Sequence, residues 1–292
     1  MKEITIFTPT YNRLYSMKRL YRSLINQTNK DFIWLIVDDG STDKTEEYVR
    51  EWINNNKIEI RYLYQKNQGK QVAHNLAVEN CNTDFFICVD SDDYLTNNAV
   101  EIMISNKYRF VENVGGLVFL RGVEKDKPIG TYFDDNMLKK ATSLTSLYEE
   151  YHFRGDTALL FKTDVIKQFK FKLFNNEKFI GEDYLYRQIE QKYFIRPVNE
   201  IFYITEYQDD GYTKNVLKHL TSSPYSYIEL KDLSIYTSYR YIYKFKHSIL
   251  YDAMCIYIKK YKKIISGNNK FIKIIAMPFG YGYFLLNFRR FR

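Results

Sequence analysis

Residues 85–93 read F-F-I-C-V-D-S-D-D, an apolar run that ends in three carboxylates. The run 85–89 barely alternates between apolar and polar residues, which is typical of a strand buried in a parallel sheet. Asp90 and Asp92 follow it one residue apart and can turn towards one point. Carboxylate oxygens are the ligands that Mg²⁺ and Mn²⁺ prefer, although an isolated pair of this kind is more often a solvated turn or a helix cap.

Three further strands and three helices precede this stretch in strict alternation. The strands are short apolar or β-branched runs, and the helices carry apolar residues at helical spacing. The predicted strands are Ile4–Thr8, Phe32–Val37, Ile58–Leu63 and Phe85–Val89, and the predicted helices span 14–25, Thr45–Asn54 and Val72–Glu79. This order favours an α/β fold with parallel strands, in which ligands bind beyond the carboxyl ends of the strands.

Ionisable side chains fill the loops that follow these strands. The loop D-D-G-S-T-D at 38–43 repeats the acidic character of 90–93, and the two loops should face the same crevice. Arg13, Lys66 and Lys70 stand in the other two loops as candidate phosphate ligands. The sequence contains no G-x-G-x-x-G or G-x-x-x-x-G-K-[ST] pattern, so it supports neither a dinucleotide-binding oxidoreductase nor a P-loop NTPase.

Four motifs together resemble the inverting family 2 glycosyltransferases, which have the GT-A fold of a mostly parallel sheet flanked by helices. They are T-P-T-Y-N-R at 8–13, V-D-D-G-S-T-D at 37–43, N-Q-G-K at 67–70 and D-S-D-D at 90–93. The second half is similar to a bacterial surface-polysaccharide subgroup. The motifs of that half are G-D-T-A-L-L-F-K-T-D at 155–164, E-K-F-I-G-E-D at 177–183 and D-D-G-Y-T-K-N at 209–215.

The resemblance implies roles for named residues in a metal-dependent transfer from a UDP-sugar. Asp39 would accept the imide proton of uracil, Asp90 would bind the ribose, and Asp92 would hold a Mn²⁺ or Mg²⁺ ion. The metal would offset the charge that develops on the departing diphosphate. The other residues implied in the nucleotide-sugar pocket are Pro9, Tyr11, Arg13, Gly69, Lys70 and Ser91.

An inverting transfer needs a base that takes the proton of the acceptor hydroxyl. The pair Glu182-Asp183 precedes a helix predicted over 184–191 and resembles the acidic position that serves this purpose in the family. Successive side chains on a helix point about 100° apart, so only one of the two should face the sugar, and Asp183 is preferred over Glu182. Asp156, in the G-D motif, is expected near the acceptor, with helix capping as an equal alternative.

The composition is that of a globular enzyme kept in a reducing compartment. Of 292 residues, 45% are hydrophobic and 27% are charged, which excludes wholesale disorder. The three cysteines have neither the number nor the spacing of a disulfide framework or a zinc site. Residues 4–7 enter a strand without the pattern of a signal peptide. A cytoplasmic location is therefore expected.

The charge distribution predicts a separate C-terminal region. Residues 214–292 contain 15 Lys and Arg against 3 Asp and Glu, a net +12, whereas residues 1–213 contain 28 against 32, a net −4. The predicted domains are a glycosyltransferase domain at 1–216, with a nucleotide-sugar half at 1–95 and an acceptor half at 96–216, and a basic, aromatic, helical region at 217–292. The strands predicted in the acceptor half are Gly116–Leu120, Ala158–Phe161 and Val198–Ile204.

The apolar and basic residues of the C-terminal region predict that it binds a partner other than the sugar donor. Residues 271–288 are apolar, but Lys273 and a predicted break at 278–282 interrupt them, so a membrane-spanning helix of about 20 residues is not expected. Lysines and arginines on both sides suit peripheral contact with an anionic membrane surface, or packing between copies in a homo-oligomer. Nucleic acid is not expected as a partner, because the acidic-loop domain lacks the basic cluster and no binding motif is present.

The sequence thus predicts transfer of one hexose or N-acetylhexosamine from a UDP-sugar to a free or lipid-linked saccharide acceptor. The expected pathway is the synthesis of a bacterial surface polysaccharide such as capsule. Two alternatives stay open: a nucleotide-sugar-binding protein without transfer activity, and a nucleic-acid-binding module that works through the basic tail. The first is disfavoured by Glu182-Asp183, because a protein that only binds sugar nucleotides requires no base.

Overall fold

The amino-terminal part of the chain folds as alternating strands and helices. The computed structural model of the protein describes residues 2–206, 216–267 and 269–291, so the motif at 209–215 lies outside the described residues. Every element predicted in this part is present, and α1 and α2 have the predicted bounds. The elements are β1 (Ile4–Thr10), α1 (Leu14–Ile25), β2 (Phe32–Asp38), α2 (Thr45–Asn54), β3 (Glu59–Tyr64), α3 (Lys70–Asn80) and β4 (Phe85–Cys88).

The later strands are β5 (Tyr94–Leu95), β6 (Val114–Glu124), β7 (Lys127–Pro128), β8 (Thr157–Lys162) and β9 (Phe194–Ile204). The described strands join one mixed sheet in the order β3-β2-β1-β4-β8-β6-β9-β5, with β7 paired to β6. Strands β1 to β4 pair in parallel, whereas β8 runs antiparallel between β4 and β6. The three strands predicted in the acceptor half are confirmed as parts of β6, β8 and β9.

Helices and apolar side chains cover both faces of the sheet, as expected for its buried strands. Along β1 the side chains alternate, so that Phe7 enters the core on one face and Ile6 the core on the other. Trp34 and Trp52 stack at 5.7 Å in the second core. His74 packs edge-on against Phe7, and burial lowers its pKa to about 4. The flanking helices are α4 (Ala99–Ser105), α5 (Asp135–Lys140), α6 (Leu144–Glu149), α7 (Thr163–Ile166) and α8 (Asp183–Ile189).

The C-terminal region is helical, as predicted, and is fastened to the rest of the chain. Its helices are α9 (Val216–Ser222), α10 (Pro224–Thr237), α11 (Tyr241–Tyr257) and α12 (Lys270–Tyr283). The Glu177 carboxylate accepts hydrogen bonds from the amides of Tyr225 at 2.8 Å and Ser226 at 2.6 Å, which caps the N-terminus of α10. Leu230 of α10 joins the core that covers the sheet.

A second, buried polar attachment lies at the other end of α10. The carboxylate of Glu149 accepts hydrogen bonds from the Ser238 hydroxyl at 2.8 Å and the Tyr239 amide at 3.0 Å. It also pairs with Arg187 of α8 at 3.3 Å. The helix that begins at Asp183 is therefore linked to the C-terminal region, and the division at residues 216 and 217 stays a prediction.

The predicted break at 278–282 is wrong, because α12 continues as one helix of 22 residues from Lys270 to Phe291. Pro278 and Gly280 do not end it, since packing against α11 supports this segment. A Cβ at Gly280 would lie 2.7 Å from that of Asp252, so glycine permits the close approach of the two helices. By length and composition alone this helix could cross a membrane, but one of its faces is packed on α11.

Candidate active site

The loops that follow β1 and β2 are hydrogen-bonded to each other at the carboxyl edge of the sheet. The amide of Asn12, which has a left-handed backbone (φ 53°), donates to Ser41 Oγ at 2.9 Å. Pro9 is buried at the end of β1, Arg13 is half-buried and Tyr11 is exposed. The structure therefore places these three predicted donor residues at the expected edge, Pro9 at the end of β1 and the other two in the loop after it.

Asp39 joins the loop after β2 to the loop after β3. Its buried carboxylate accepts hydrogen bonds from the amides of Gln68 and Gly69, each at 2.8 Å, and from the Gln65 side chain at 2.7 Å. An ionised carboxylate has about four acceptor positions, so one is left for a further hydrogen-bond donor. Gly69 has φ 98°, and a Cβ there would lie 2.3 Å from the Lys178 carbonyl oxygen, so only glycine fits.

Lys70 stands at the centre of the site, between two carboxylates. Its ammonium forms an ion pair with Asp90 and lies 2.5 Å from Glu182 Oε1. The other oxygen of Glu182 accepts a hydrogen bond from the Tyr186 hydroxyl at 3.2 Å. Lys70 begins α3, Asp90 follows β4 and Glu182 precedes α8. Three residues predicted from three separate motifs are therefore brought together.

These ion pairs determine the charges at the centre. Burial raises the pKa of Asp90, but Lys70 and Arg121 outweigh burial and lower the pKa to about 2. Burial also raises the pKa of Glu182, but Lys70 lowers it by more, so the pKa of Glu182 lies below its ordinary value. Burial lowers the pKa of Lys70, but the two carboxylates raise it well above its ordinary value. All three groups are therefore charged at neutral pH.

Arg121 and Tyr203 complete the cluster, although no sequence motif points to either. The guanidinium of Arg121 lies 3.6 Å from Asp90, 3.5 Å from Asp93 and 4.1 Å from the centre of the Tyr203 ring. The Tyr203 hydroxyl donates to Asp93 at 2.8 Å and accepts from the Asp90 amide at 2.9 Å. A cation inside the mostly apolar strand β6 is the signal that could have identified Arg121.

Replacing Arg121 with methionine is expected to lower the free energy of unfolding by about 2 kcal/mol. The loss is smaller than the 3–5 kcal/mol typical of a fully orphaned buried charge, because Lys70 still pairs with Asp90 and the Tyr203 hydroxyl still donates to Asp93. Urea denaturation followed by circular dichroism measures it. The control Arg61→Met removes a half-exposed arginine that pairs with Glu59 and should cost less than about 1 kcal/mol. Equal losses in the two variants would contradict a special role for Arg121.

Asp92 lies beside this cluster in a loop fixed through its backbone. Its carbonyl accepts a hydrogen bond from Arg19, which also pairs with Glu206. Burial and the neighbouring Asp90 both raise the pKa of Asp92. Ser91, between the two carboxylates, is buried. The raised pKa shows that a further positive charge beside Asp92 would be favourable.

The charge balance of the site fits a divalent cation. Among the described residues, the site sets four carboxylates, Asp90, Asp92, Asp93 and Glu182, against three cations, Lys70, Arg121 and Arg13. Burial, and to a lesser extent the charge of Asp90, raise the pKa of Asp93 to about 7; only the contribution of Asp90 reflects the excess of negative charge. The ligand atoms of Cys88, Asp90 and Glu182 lie within 4.8 Å of one another, but the Lys70 ammonium already pairs with both carboxylates. The assignment of Mn²⁺ or Mg²⁺ to Asp92 stays a prediction, and its carboxylate offers the oxygen ligands that these ions prefer.

The side chains of Glu182 and Asp183 diverge. Glu182 turns towards Lys70, whereas Asp183, which is half exposed, lies 3.9 Å from Arg187 on the next turn of α8. Burial lowers the pKa of Lys231 in α10, and the negative charge of Asp183 raises it by a smaller amount, so these two side chains are close enough to interact. The Asp183 carboxylate thus lies on the side of α8 that faces the C-terminal region.

Asp156 lies at the same edge of the sheet, directly before β8. Its carbonyl accepts a hydrogen bond from the Arg121 amide at 2.9 Å, and its side chain is exposed. A strand follows Asp156, so helix capping, the alternative reading of this residue, does not apply. The acceptor role stays a prediction, at a position next to the charged cluster.

Comparison with known proteins defines the class. The profile of Glycosyl transferase family 2 matches residues 5–174, which include the sheet edge and the four loop motifs. The chain therefore belongs to glycosyltransferase family 2, as its motifs predict.

Solved structures with the same fold confirm the GT-A architecture. TarS 1–349 of S. aureus in complex with UDP-GlcNAc has a TM-score of 0.62 at 16% identity, over 98% of this chain and 81% of that one. The mannosyltransferase PcManGT of Pyrobaculum calidifontis, in complex with GDP-Man and Mn²⁺, has a TM-score of 0.61 at 14% identity, over 98% and 88%. At these identities the likeness shows the fold alone.

A curated relative extends the match beyond the family profile. The GalNAc(5)-diNAcBac-PP-undecaprenol β-1,3-glucosyltransferase of Campylobacter jejuni is 24% identical over 238 residues, which are 79% of this chain and 73% of that protein. The chain spans 21%, 17% and 62% of the length of three other curated relatives.

Proposed function

We propose that the protein is an inverting, metal-dependent glycosyltransferase that moves one hexose or N-acetylhexosamine from a UDP-sugar to a saccharide acceptor. The observation that supports this most is the ion-paired cluster of Lys70, Asp90 and Glu182 at the carboxyl edge of the sheet. It joins the donor loops to the segment that carries the acidic pair of the acceptor side. A protein that only binds sugar nucleotides would not need that connection.

On the donor side, the hydrogen bonds of Asp39 support recognition of uracil. The carboxylate is an acceptor with one position left, so it suits the imide N–H of a uracil base. Asp90, ionised because Lys70 and Arg121 lower its pKa, can accept a hydrogen bond from a ribose hydroxyl. A divalent ion held by Asp92 would offset the charge of the departing diphosphate.

On the acceptor side, we assign the base to Asp183 and a positioning role to Glu182. The pairing of Glu182 with Lys70 lowers its pKa, and a carboxylate of lowered pKa is a weak proton acceptor. Asp183 is half exposed at the start of the same helix and can reach an acceptor that approaches from solvent. Asp156, exposed on the neighbouring loop, is proposed to contact the acceptor.

We further propose that the acceptor is carried on lipid, in bacterial surface polysaccharide or capsule synthesis at the cytoplasmic face of the cell membrane. The support is the Campylobacter jejuni relative, whose acceptor is named with a PP-undecaprenol carrier. The three free cysteines agree with a reducing compartment.

The function is tested with a panel of UDP-sugars and saccharide acceptors in the presence of Mn²⁺, by measuring release of UDP. Calorimetry with UDP and CDP tests the Asp39 assignment, because cytosine presents a lone pair where uracil presents an N–H. We expect UDP to bind about 10- to 100-fold more tightly than CDP, because the buried Asp39 carboxylate would have no hydrogen-bond partner on cytosine. Equal affinities would contradict the role of Asp39, and binding without turnover across the panel would favour the binding-protein alternative.

A further inference from the structure

The helix Lys270–Phe291 is apolar on its outer face and holds a lysine on its buried face. Lys273 is 1% exposed, whereas Phe271 is 74%, Ile275 is 64% and Leu286 is 84% exposed. A surface helix of a globular protein has the opposite arrangement. The side chains that define the outer face are Phe271, Ile274, Ile275, Phe279, Leu285 and Leu286.

Specific contacts fix this orientation. The Lys273 ammonium lies 2.5 Å from the Asp232 carboxylate of α10 and 4.0 Å from the centre of the Tyr251 ring of α11. On the same side of the helix, Gly280 allows contact with α11, and Phe284 and Phe288 enter the core of the C-terminal region. Turning the outer face inwards would expose these groups, so the apolar surface is a stable feature of the fold. A contiguous apolar surface of this kind marks an interaction site.

The surroundings of the outer face are cationic. From residue 233 to the end of the sequence the only acidic residue is Asp252, which is fully buried, and burial raises its pKa to about 8. The exposed charges that flank the outer face are therefore positive. They belong to Lys259, Lys260, Lys262 and Lys263 before the helix and to Arg289 and Arg290 at its end.

We propose that the outer face of this helix lies in the headgroup layer of an anionic membrane, with the helix axis parallel to the surface. The cations on both sides complement anionic lipid, whereas a two-fold contact with a second copy would set the same cations against each other. A spanning arrangement would separate the helix from α11 and carry Lys273 into hydrocarbon. The inference rests on the exposure and charge of this region, and it does not depend on the transfer reaction.

The test is co-sedimentation of the full chain with vesicles of phosphatidylcholine, with and without phosphatidylglycerol. We expect binding to the anionic vesicles only, and weakening of at least about 10-fold between 50 and 500 mM NaCl. The variant Ile275→Ser/Leu286→Ser should weaken binding about 10- to 100-fold. The matched control Tyr108→Ser/Val111→Ser removes two exposed apolar side chains outside the C-terminal region and should bind as the parent does.

The position of the helix is measured with Leu286→Trp. Its fluorescence should shift to the blue on anionic vesicles and be quenched by brominated lipid, because the native Trp34 and Trp52 are buried. Unchanged binding of the serine variant would overturn the proposal. A stable dimer that the serine substitutions dissociate would overturn it in favour of a second copy as partner, and resistance to both high salt and alkaline carbonate would show a spanning helix instead.

Discussion

Asp183→Asn is expected to lower kcat for sugar transfer by at least about 1,000-fold, while the Kd for UDP changes less than about threefold. An amide cannot take the proton of the acceptor hydroxyl, so deprotonation during attack loses its base. Asp183 lies on the side of α8 that faces the C-terminal region, away from the Lys70 ion pairs, so the donor site should be preserved. Single-turnover transfer and calorimetric titration with UDP measure the two quantities separately.

Two further variants identify the base. Glu182→Gln breaks the ion pair with Lys70, so we expect it to weaken UDP binding as well as transfer. Asp164→Asn changes an exposed acid in the first turn of α7 and should leave both quantities unchanged. If Glu182→Gln abolished transfer with UDP binding intact, while Asp183→Asn stayed active, the two roles would have to be exchanged.

Removal of divalent metal is the second change with a large expected effect. Chelation with EDTA should lower the rate of UDP release by at least about 100-fold, and Mn²⁺ should restore it, because the site has more carboxylates than cations before a diphosphate binds. Asp92→Asn should raise the Mn²⁺ concentration needed for half-maximal rate by about 10- to 100-fold. Initial rates over a Mn²⁺ titration give both results.

Asp126→Asn serves as the control for the metal titration, since it changes an exposed acid in the turn between β6 and β7. Its Mn²⁺ requirement should equal that of the parent. Full activity in EDTA would refute metal dependence. An unchanged Mn²⁺ requirement in Asp92→Asn would contradict the proposal that Asp92 binds the metal.

Local patterns in the sequence predict the first half of the fold well. The strands and helices from Ile4 to Cys88 follow from hydrophobic periodicity, which depends only on neighbouring residues. The insertion of β8 between β4 and β6 does not follow from it, because pairing joins residues far apart in sequence. The short helices α5 and α6, of six residues each, carry too little periodicity to be recognised.

The same limit applies to the site and the tail. Lys70, Asp90 and Glu182 were predicted from motifs, and the edge of a parallel sheet brings their loops together. Arg121 was missed because its place beside Asp90 depends on the strand order. The break predicted at 278–282 reflects the ordinary effect of Pro and Gly on an isolated helix, which packing against α11 overrides.

The segment from Glu177 to Glu182 touches three parts of the molecule within a few residues. The Glu177 carboxylate caps α10, and the Lys178 carbonyl lies against Gly69. The Glu182 carboxylate pairs with Lys70. A residue added to or deleted from this segment would change the distance between Glu177 and Glu182. Either the cap on α10 or the ion pair with Lys70 would then be broken. The number of residues in this stretch is therefore set by its attachments, and its spacing matters as much as the identity of its acids.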